Sequence, residues 1–247
     1  MIVDCHTHWA SCWQERDRGD PSEWLGVLDR HGVHGAFLMG TAGLFRLDLC
    51  KNDNDTVAAV AARAPERLIP LGSAWPQLGK AGLEEVRRCI LQLRMKGLKF
   101  HPWVQGFSTA DPVFGEMCAL AGELRVPVFF HDGTPCYALS EQVAGLARRF
   151  PSTRFVLGHS GLLWEWRSAI MAAKRPNVWL CLCGPHMRAI EIMCNQCDPD
   201  RILWGTDFGF SFADTVAYRL ELFQRAQLAD SLKEKILGEN PVLLLKS

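Results

Sequence analysis

Residues 97–131, GLKFHPWVQGFSTADPVFGEMCALAGELRVPVFFH, hold the decision about the fold. A short apolar run, GLKFH (97–101), ends in His101. A helical pattern covers 112–125, and a second apolar run, PVFFH (127–131), ends in His131. Pro127 blocks continuation of the helix and hands the chain to the strand. The unit is therefore strand, helix, strand, with a histidine at the same end of both strands.

Reading outward, the pattern repeats along the chain. Strand candidates are 2–8, 35–40, 67–75, 97–101, 127–131, 154–159, 177–183 and 201–207. Helix candidates lie between and after them at 22–31, 53–64, 80–95, 112–125, 140–149, 164–174, 187–196 and 213–227. In 80–95, Leu83, Val86, Ile90, Leu91 and Leu93 cluster on one side, with Glu84, Glu85, Arg87 and Arg88 on the other. ARAPERL, LRVP, RRFPSTR and KRPN each end a helix just ahead of a strand. Eight strand–helix pairs in 247 residues predict a single α/β domain, 1–247, built as a (β/α)8 TIM barrel. A doubly wound sheet commonly carries a glycine-rich turn after its first strand, and none follows here.

Composition narrows the function. The chain is 48% hydrophobic and 22% charged, with 27 basic and 27 acidic side chains and no net charge. Nothing in that balance attracts nucleic acid or an anionic membrane, and no apolar run is long enough to span a bilayer. Asp4, His6 and His8 stand where a secretion signal needs apolar residues, so the expected location is the cytoplasm, with ten reduced cysteines. The expected partner is a small-molecule substrate, and nothing in the sequence opposes a homo-oligomer.

Five strand ends carry groups that bind metal or move protons: His6 and His8, His101, His131, His159 and Asp207. In a parallel barrel these ends share one rim, where barrel enzymes place their active sites. Of eight histidines, five sit there, which composition alone does not produce. Imidazoles plus a carboxylate suit one divalent cation, with Zn²⁺ favoured and Mn²⁺ or Fe²⁺ also accommodated. His31, His34 and His186 fall in loops or at helix ends and read as surface or structural residues.

Six segments in order, VDCHTHW (3–9), GLKFHPW (97–103), PVFFHDGTP (127–135), VLGHSG (156–161), ILWGTDF (202–208) and KILGENPVLLL (235–245), resemble the amidohydrolase superfamily. The similarity is to its amidohydrolase-2 branch of metal-dependent hydrolases and decarboxylases, and it spans nearly the whole chain. It implies that His6, His8, His131 and Asp207 ligate one metal. It also implies that His159 is an acid/base or substrate-orienting residue and that Asp207 doubles as the proton acceptor.

A divalent ion lowers the pKa of bound water to about 7, and an adjacent carboxylate moves the proton. The expected activity is hydrolysis of a small carbonyl compound such as a lactone or amide. The alternative is non-oxidative decarboxylation of an aryl or enol carboxylate; a further rival is a non-catalytic ligand-binding barrel.

Members with two metals bridge them through a carboxylated lysine, or a carboxylate, on the fourth strand or nearby. Lys99 lies there on the same face as His101; Lys99 reads as a neutralised interior lysine or a substrate-anion contact, and His101 as a substrate contact or a hydrogen-bonded core residue. Trp9, Trp75, Trp103 and Trp164 are expected to wall the pocket, against a reading as core or barrel-rim packing. Arg46, alone or with Lys99, is expected to hold a substrate carboxylate, against a competing reading as a solvated loop residue. Cys194 and Cys197 form a C-x-x-C pair without a second pair and read as packing thiols. KNDNDT (51–56) reads as a polar loop and helix cap.

Overall fold

The structure is a computed structural model describing residues 1–10, 19–210 and 214–246. Strands β1 (Val3–Trp9), β2 (Gly35–Gly40) and β3 (Leu68–Leu71) pair in parallel. So do β4 (Leu98–Phe100), β5 (Val128–Phe130), β6 (Phe155–Leu157), β7 (Val178–Cys181) and β8 (Ile202–Leu203). At the first seam Gly72 bridges Leu98, and Lys99 N–H donates to the Gly72 carbonyl at 2.7 Å. At the second, Cys5 N–H donates to Trp204 O at 2.9 Å, Asp207 N–H to His6 O at 2.8 Å and His8 N–H to Phe208 O at 2.7 Å. Every strand thus has two neighbours, and the ring is the expected (β/α)8 barrel.

The helices are α1 (Ser22–Arg30), α2 (Ala42–Phe45), α3 (Cys50–Ala61), α4 (Lys80–Leu91), α5 (Pro102–Gln105) and α6 (Pro112–Glu123). They continue with α7 (Ser140–Arg149), α8 (Trp166–Ala172), α9 (Met187–Gln196), α10 (Asp214–Arg225), α11 (Asp230–Glu234) and α12 (Asn240–Lys246). Local signals set their starts. The Asp111 carboxylate accepts from Val113 N–H at 2.8 Å and Phe114 N–H at 3.0 Å, with Pro112 as the first helical residue. Ala213, the first residue of the last expected helix, lies outside the described residues.

Two expectations change. KNDNDT is not a loop: it lies inside α3, because its polar side chains find buried partners. Asp53 accepts from Gly43 N–H at 2.8 Å, and Asn54 both donates to Ser73 O (2.8 Å) and accepts from Ser73 N–H (2.9 Å). In 80–95 the helix stops at Leu91, which is exposed, and Arg94 turns the chain with φ +56°. Met95 then fills the core position instead.

Strand alternation separates two cores. Leu98, Phe100, Val128, Phe130, Phe155, Leu157, Val178 and Leu180 face the helices. Val3, Cys5, Phe37, Phe129, Val156, Trp179, Cys181 and Leu203 fill the barrel, and Leu244 of α12 plugs its lower end. Asn240 pins that plug by donating to Pro199 O and Ile202 O, each at 2.7 Å.

Candidate metal centre and active site

β1 has to change parity to build the site. Strict alternation from Val3 and Cys5 would turn Thr7 inward and the even-numbered histidines out. The register against β2 slips by one residue between Asp4 and Thr7, a bulge that sends His6 and His8 to the interior. It also sends Trp9 outward. Trp9 is 1% exposed, sits in the helix-facing core and packs on Trp24 at 6.4 Å. The bulge therefore removes Trp9 from the expected pocket wall.

The buried carboxylate of Asp4 anchors the bulge to β8. It accepts from His6 N–H and Thr206 N–H, each at 3.1 Å, and from the Thr206 hydroxyl at 2.5 Å. Burial pushes its pKa up to about 7.

His6 lies in a slot cut by two glycines. A Cβ on Gly158 would stand 2.9 Å from His6 Cε1, and one on Gly205 would stand 2.8 Å from His6 Cβ. Its Nδ1 donates to the Gly158 carbonyl at 2.8 Å, because a carbonyl oxygen only accepts. The lone pair is thereby left on Nε2, where Lys99 Nζ lies 2.8 Å away. His8 Nε2 lies 3.2 Å from Asp207 Oδ1, and His6 Nε2 lies 3.6 Å from the same oxygen. The Gly40 carbonyl, 3.4 Å from His8 Nδ1, can take the ring hydrogen when Nε2 is needed as a ligand.

The donor atoms of His6, His8 and Asp207 lie within 4.8 Å of one another, a set that fits a divalent cation. His131, the fourth expected ligand, stands beside this trio rather than within it. Its ring stacks on His101 at 3.8 Å and meets His159 edge-on at 4.3 Å. His159 is 3% exposed, and its Nε2 is buried without a protein partner. Such an orphan indicates that the site is built to receive something.

Charge states agree with that use. Burial, reinforced by Lys99 and neighbouring histidines, pulls His6 and His159 far below the usual imidazole range, takes His131 to about 3 and His101 to about 2. All are neutral ligands or acceptors at pH 7. Burial lowers Lys99 to about 8. Burial alone would raise Asp207, yet the hydrogen bond from His8 and the nearby charge of Lys99 hold it well below the carboxylate range. Asp207 sits at φ +63°, a left-handed backbone that aspartate tolerates better than most residues.

Two cavities open on His131 and Asp207. One, of about 330 Å³, is lined by His8, Phe45, Lys99, His101, Trp103 and Phe210. The other, of about 430 Å³, reaches His159, Cys183, Tyr218 and Arg219. A larger space of about 740 Å³ lies at the opposite end of the barrel around Met1 and Lys235 and touches none of the histidines.

Lys99, His101 and Trp103 thus join the site. Trp164 is 88% exposed, and Trp75 is buried with its Nε1 donating to Gly43 O at 2.7 Å, so neither lines the two cavities. Arg46 is surface-exposed and closes on Asp48, with Nε 3.1 Å from Oδ1, so the structure does not bring it to the pocket.

Sequence reasoning missed Arg219, Phe45, Phe210, Cys183 and Asp132. Arg219 donates to Pro185 O at 3.1 Å and Gly184 O at 3.4 Å and lines the second cavity. An arginine on an amphipathic helix carries no local signal of that role. Asp132, directly after His131, accepts from His159 N–H and Gly161 N–H, both at 2.6 Å, and so fixes the loop that presents His159. Its position beside a strand-end histidine was the available clue. No described helix is long and apolar enough to cross a membrane.

Comparison with known proteins agrees with the architecture. The amidohydrolase family model matches residues 3–246. The chain is 24% identical to 2-amino-3-carboxymuconate-6-semialdehyde decarboxylase of Dictyostelium discoideum, over 96% of this chain and 77% of that one. It is 23% identical to gamma-resorcylate decarboxylase of Rhodococcus jostii (strain RHA1), over 90% and 86%. It also resembles the crystal structure of a dihydroxybenzoic acid decarboxylase from Polaromonas sp. JS666 with bound manganese and the inhibitor 2-nitroresorcinol. There the TM-score is 0.77 at 17% identity, covering 99% of this chain and 96% of that one.

Proposed function

The chain belongs to the amidohydrolase family, and from that premise we propose that it is a metal-dependent, non-oxidative decarboxylase of a small aryl or enol carboxylate. The observation that carries the reading is one cavity in which a buried cation, an ionised carboxylate and aromatic walls meet. Lys99, Asp207, Trp103, Phe45 and Phe210 line the same space. A flat, anionic substrate matches that lining. Both curated relatives are decarboxylases, so decarboxylation takes precedence over the hydrolysis expected from the motifs.

His6, His8 and Asp207, with His131 alongside, would hold the divalent ion, and manganese in the Polaromonas enzyme makes Mn²⁺ as good a candidate as Zn²⁺. When bound, the ion would draw electron density from a substrate oxygen. Lys99 and Arg219 supply positive charge for the substrate carboxylate. Asp207, ionised, takes the proton of the substrate hydroxyl and delivers it to the carbon bearing the carboxylate. The bond to the carboxylate then breaks, CO₂ leaves, and the bonding pair restores the conjugated system as an anion that is reprotonated from water. His159, in the adjoining cavity that shares His131 and Asp207, orients the substrate oxygen.

The test is a panel of hydroxybenzoates and enol carboxylates labelled with ¹³C at the carboxyl group, run beside lactones and amides with Mn²⁺- and Zn²⁺-loaded protein. Labelled CO₂ from a carboxylate is expected. Acid release from a lactone or amide without CO₂ from any carboxylate would restore hydrolysis, and no turnover of either class would leave a binding barrel.

A further inference from the structure

Beside the trio of His6, His8 and Asp207 lies a second one. The donor atoms of His6, His159 and Cys183 also fall within 4.8 Å of one another, and all three residues are buried. Cys183 follows β7 two residues after Cys181, so alternation turns both thiols into the barrel, and Cys183 is 2% exposed. The unpartnered Nε2 of His159 is the independent sign of a missing ligand here. Among the described residues no disulfide engages Cys183.

We propose that His6, His159 and Cys183 form a thiolate-containing cation position that competes with the His6–His8–Asp207 position for a single ion. The proposal rests on the reading that the latter trio binds a divalent cation. Donors around one tetrahedral ion, at bond lengths of about 2.0–2.3 Å, stand about 3.3–3.8 Å apart, within the spread found here. A neutral imidazole has one in-plane lone pair, so His6 serves one ion at a time.

The two sets differ in chemistry. Two nitrogens and a carboxylate oxygen suit a hard ion such as Mn²⁺, two nitrogens and a thiolate suit a soft one such as Cd²⁺, and Zn²⁺ is accepted by either set. On binding, the Cys183 S–H bond is replaced by a sulfur–metal bond and the proton passes to water. A soft ion seated there takes His6 from Asp207 and silences the site, so the identity of the metal acts as an on–off selector.

The probes are Cd²⁺ and Co²⁺ added to metal-free protein, followed by ultraviolet absorption for thiolate-to-metal charge transfer, with Mn²⁺ binding measured by paramagnetic resonance. A charge-transfer band saturating at one equivalent is expected. It should vanish in Cys183→Ser, persist in the double variant Cys194→Ser/Cys197→Ser, and leave Mn²⁺ affinity of Cys183→Ser within about twofold of the parent. X-ray absorption of the cadmium-loaded parent should report a sulfur neighbour, which needs no variant to fold. Ion binding without a band or sulfur neighbour, or a band that survives Cys183→Ser, overturns the thiolate position alone. Failure to bind any of the ions overturns the metal reading of both trios.

Discussion

Lys99 places its ammonium nitrogen 2.8 Å from Nε2 of His6, on the lone pair that an incoming cation needs. The lysine is 2% exposed, so its charge is weakly screened. Two like charges about 4 Å apart repel by about 4 kcal/mol even at an effective dielectric of about 20. Lys99→Met should therefore raise Mn²⁺ affinity by roughly tenfold or more while lowering kcat/KM for a carboxylate substrate. Titration against a chelator reads the first effect and steady-state kinetics the second; an unchanged or weakened metal affinity would show that Lys99 does not oppose the ion.

Asp207→Asn tests the proton carrier with little disturbance of the backbone, since asparagine also accepts the left-handed conformation found at φ +63°. Turnover should fall by about 10²–10⁴-fold, the usual loss of a positioned acid–base group. Thermal unfolding of the metal-free variant should stay within a few degrees of the parent. Activity within threefold of the parent would remove Asp207 from the proton path.

Asp132→Ala should cost about 2–5 kcal/mol of stability, because it strips two buried N–H groups, those of His159 and Gly161, of a charged acceptor. Urea unfolding measures it. A loss under 0.5 kcal/mol would mean that water or a rearranged loop satisfies both donors.

Arg219→Met should raise KM for a carboxylate at least tenfold with a smaller change in kcat, if the guanidinium at the second cavity holds the anion. An uncharged analogue should lose little. Equal losses for charged and uncharged substrates would assign Arg219 to packing.

Acid should destabilise the metal-free protein. The folded pKa values of His101 and His131, about 2 and about 3, lie below the ordinary 6.5, so the unfolded chain binds these protons first. Stability is complete above about pH 6.5 and falls as pH drops, each such histidine contributing up to about 1.4 kcal/mol per pH unit. His6, His8 and His159 are lowered too. Asp4, Asp53 and Asp132, raised by burial to about 7, 6 and 6, act in the opposite sense over the same window and offset part of the loss. Urea midpoints at pH 7 and pH 5 compare the two; a higher midpoint at pH 5 would reverse the sign assigned here. His101→Gln should flatten the slope by about one proton.

The strand–helix alternation, the proline stops and the histidines at strand ends were legible in the sequence because they are local, following from the periods of two and 3.6 and from proline's missing N–H. That is why the amino-acid order alone reveals the barrel and the rim carrying His6, His8, His131, His159 and Asp207. Relations between distant residues are not written there. The β1 bulge is set by pairing with β2 and by the Asp4–Thr206 bonds across the seam, and it reverses the facing that alternation assigns to Trp9. Buried partners at Ser73, just beyond β3, and at Gly43 hold KNDNDT in a helix, although its composition suits a loop. Arg219 and Cys183 reach the cavity only because the barrel sets α10 and the end of β7 beside His131, His159 and Asp207 at the ends of β5, β6 and β8. Periodicity determined which elements form and which end carries the chemistry; long-range hydrogen bonding and packing decided which side chains meet there, because those energies depend on neighbours far away in the chain.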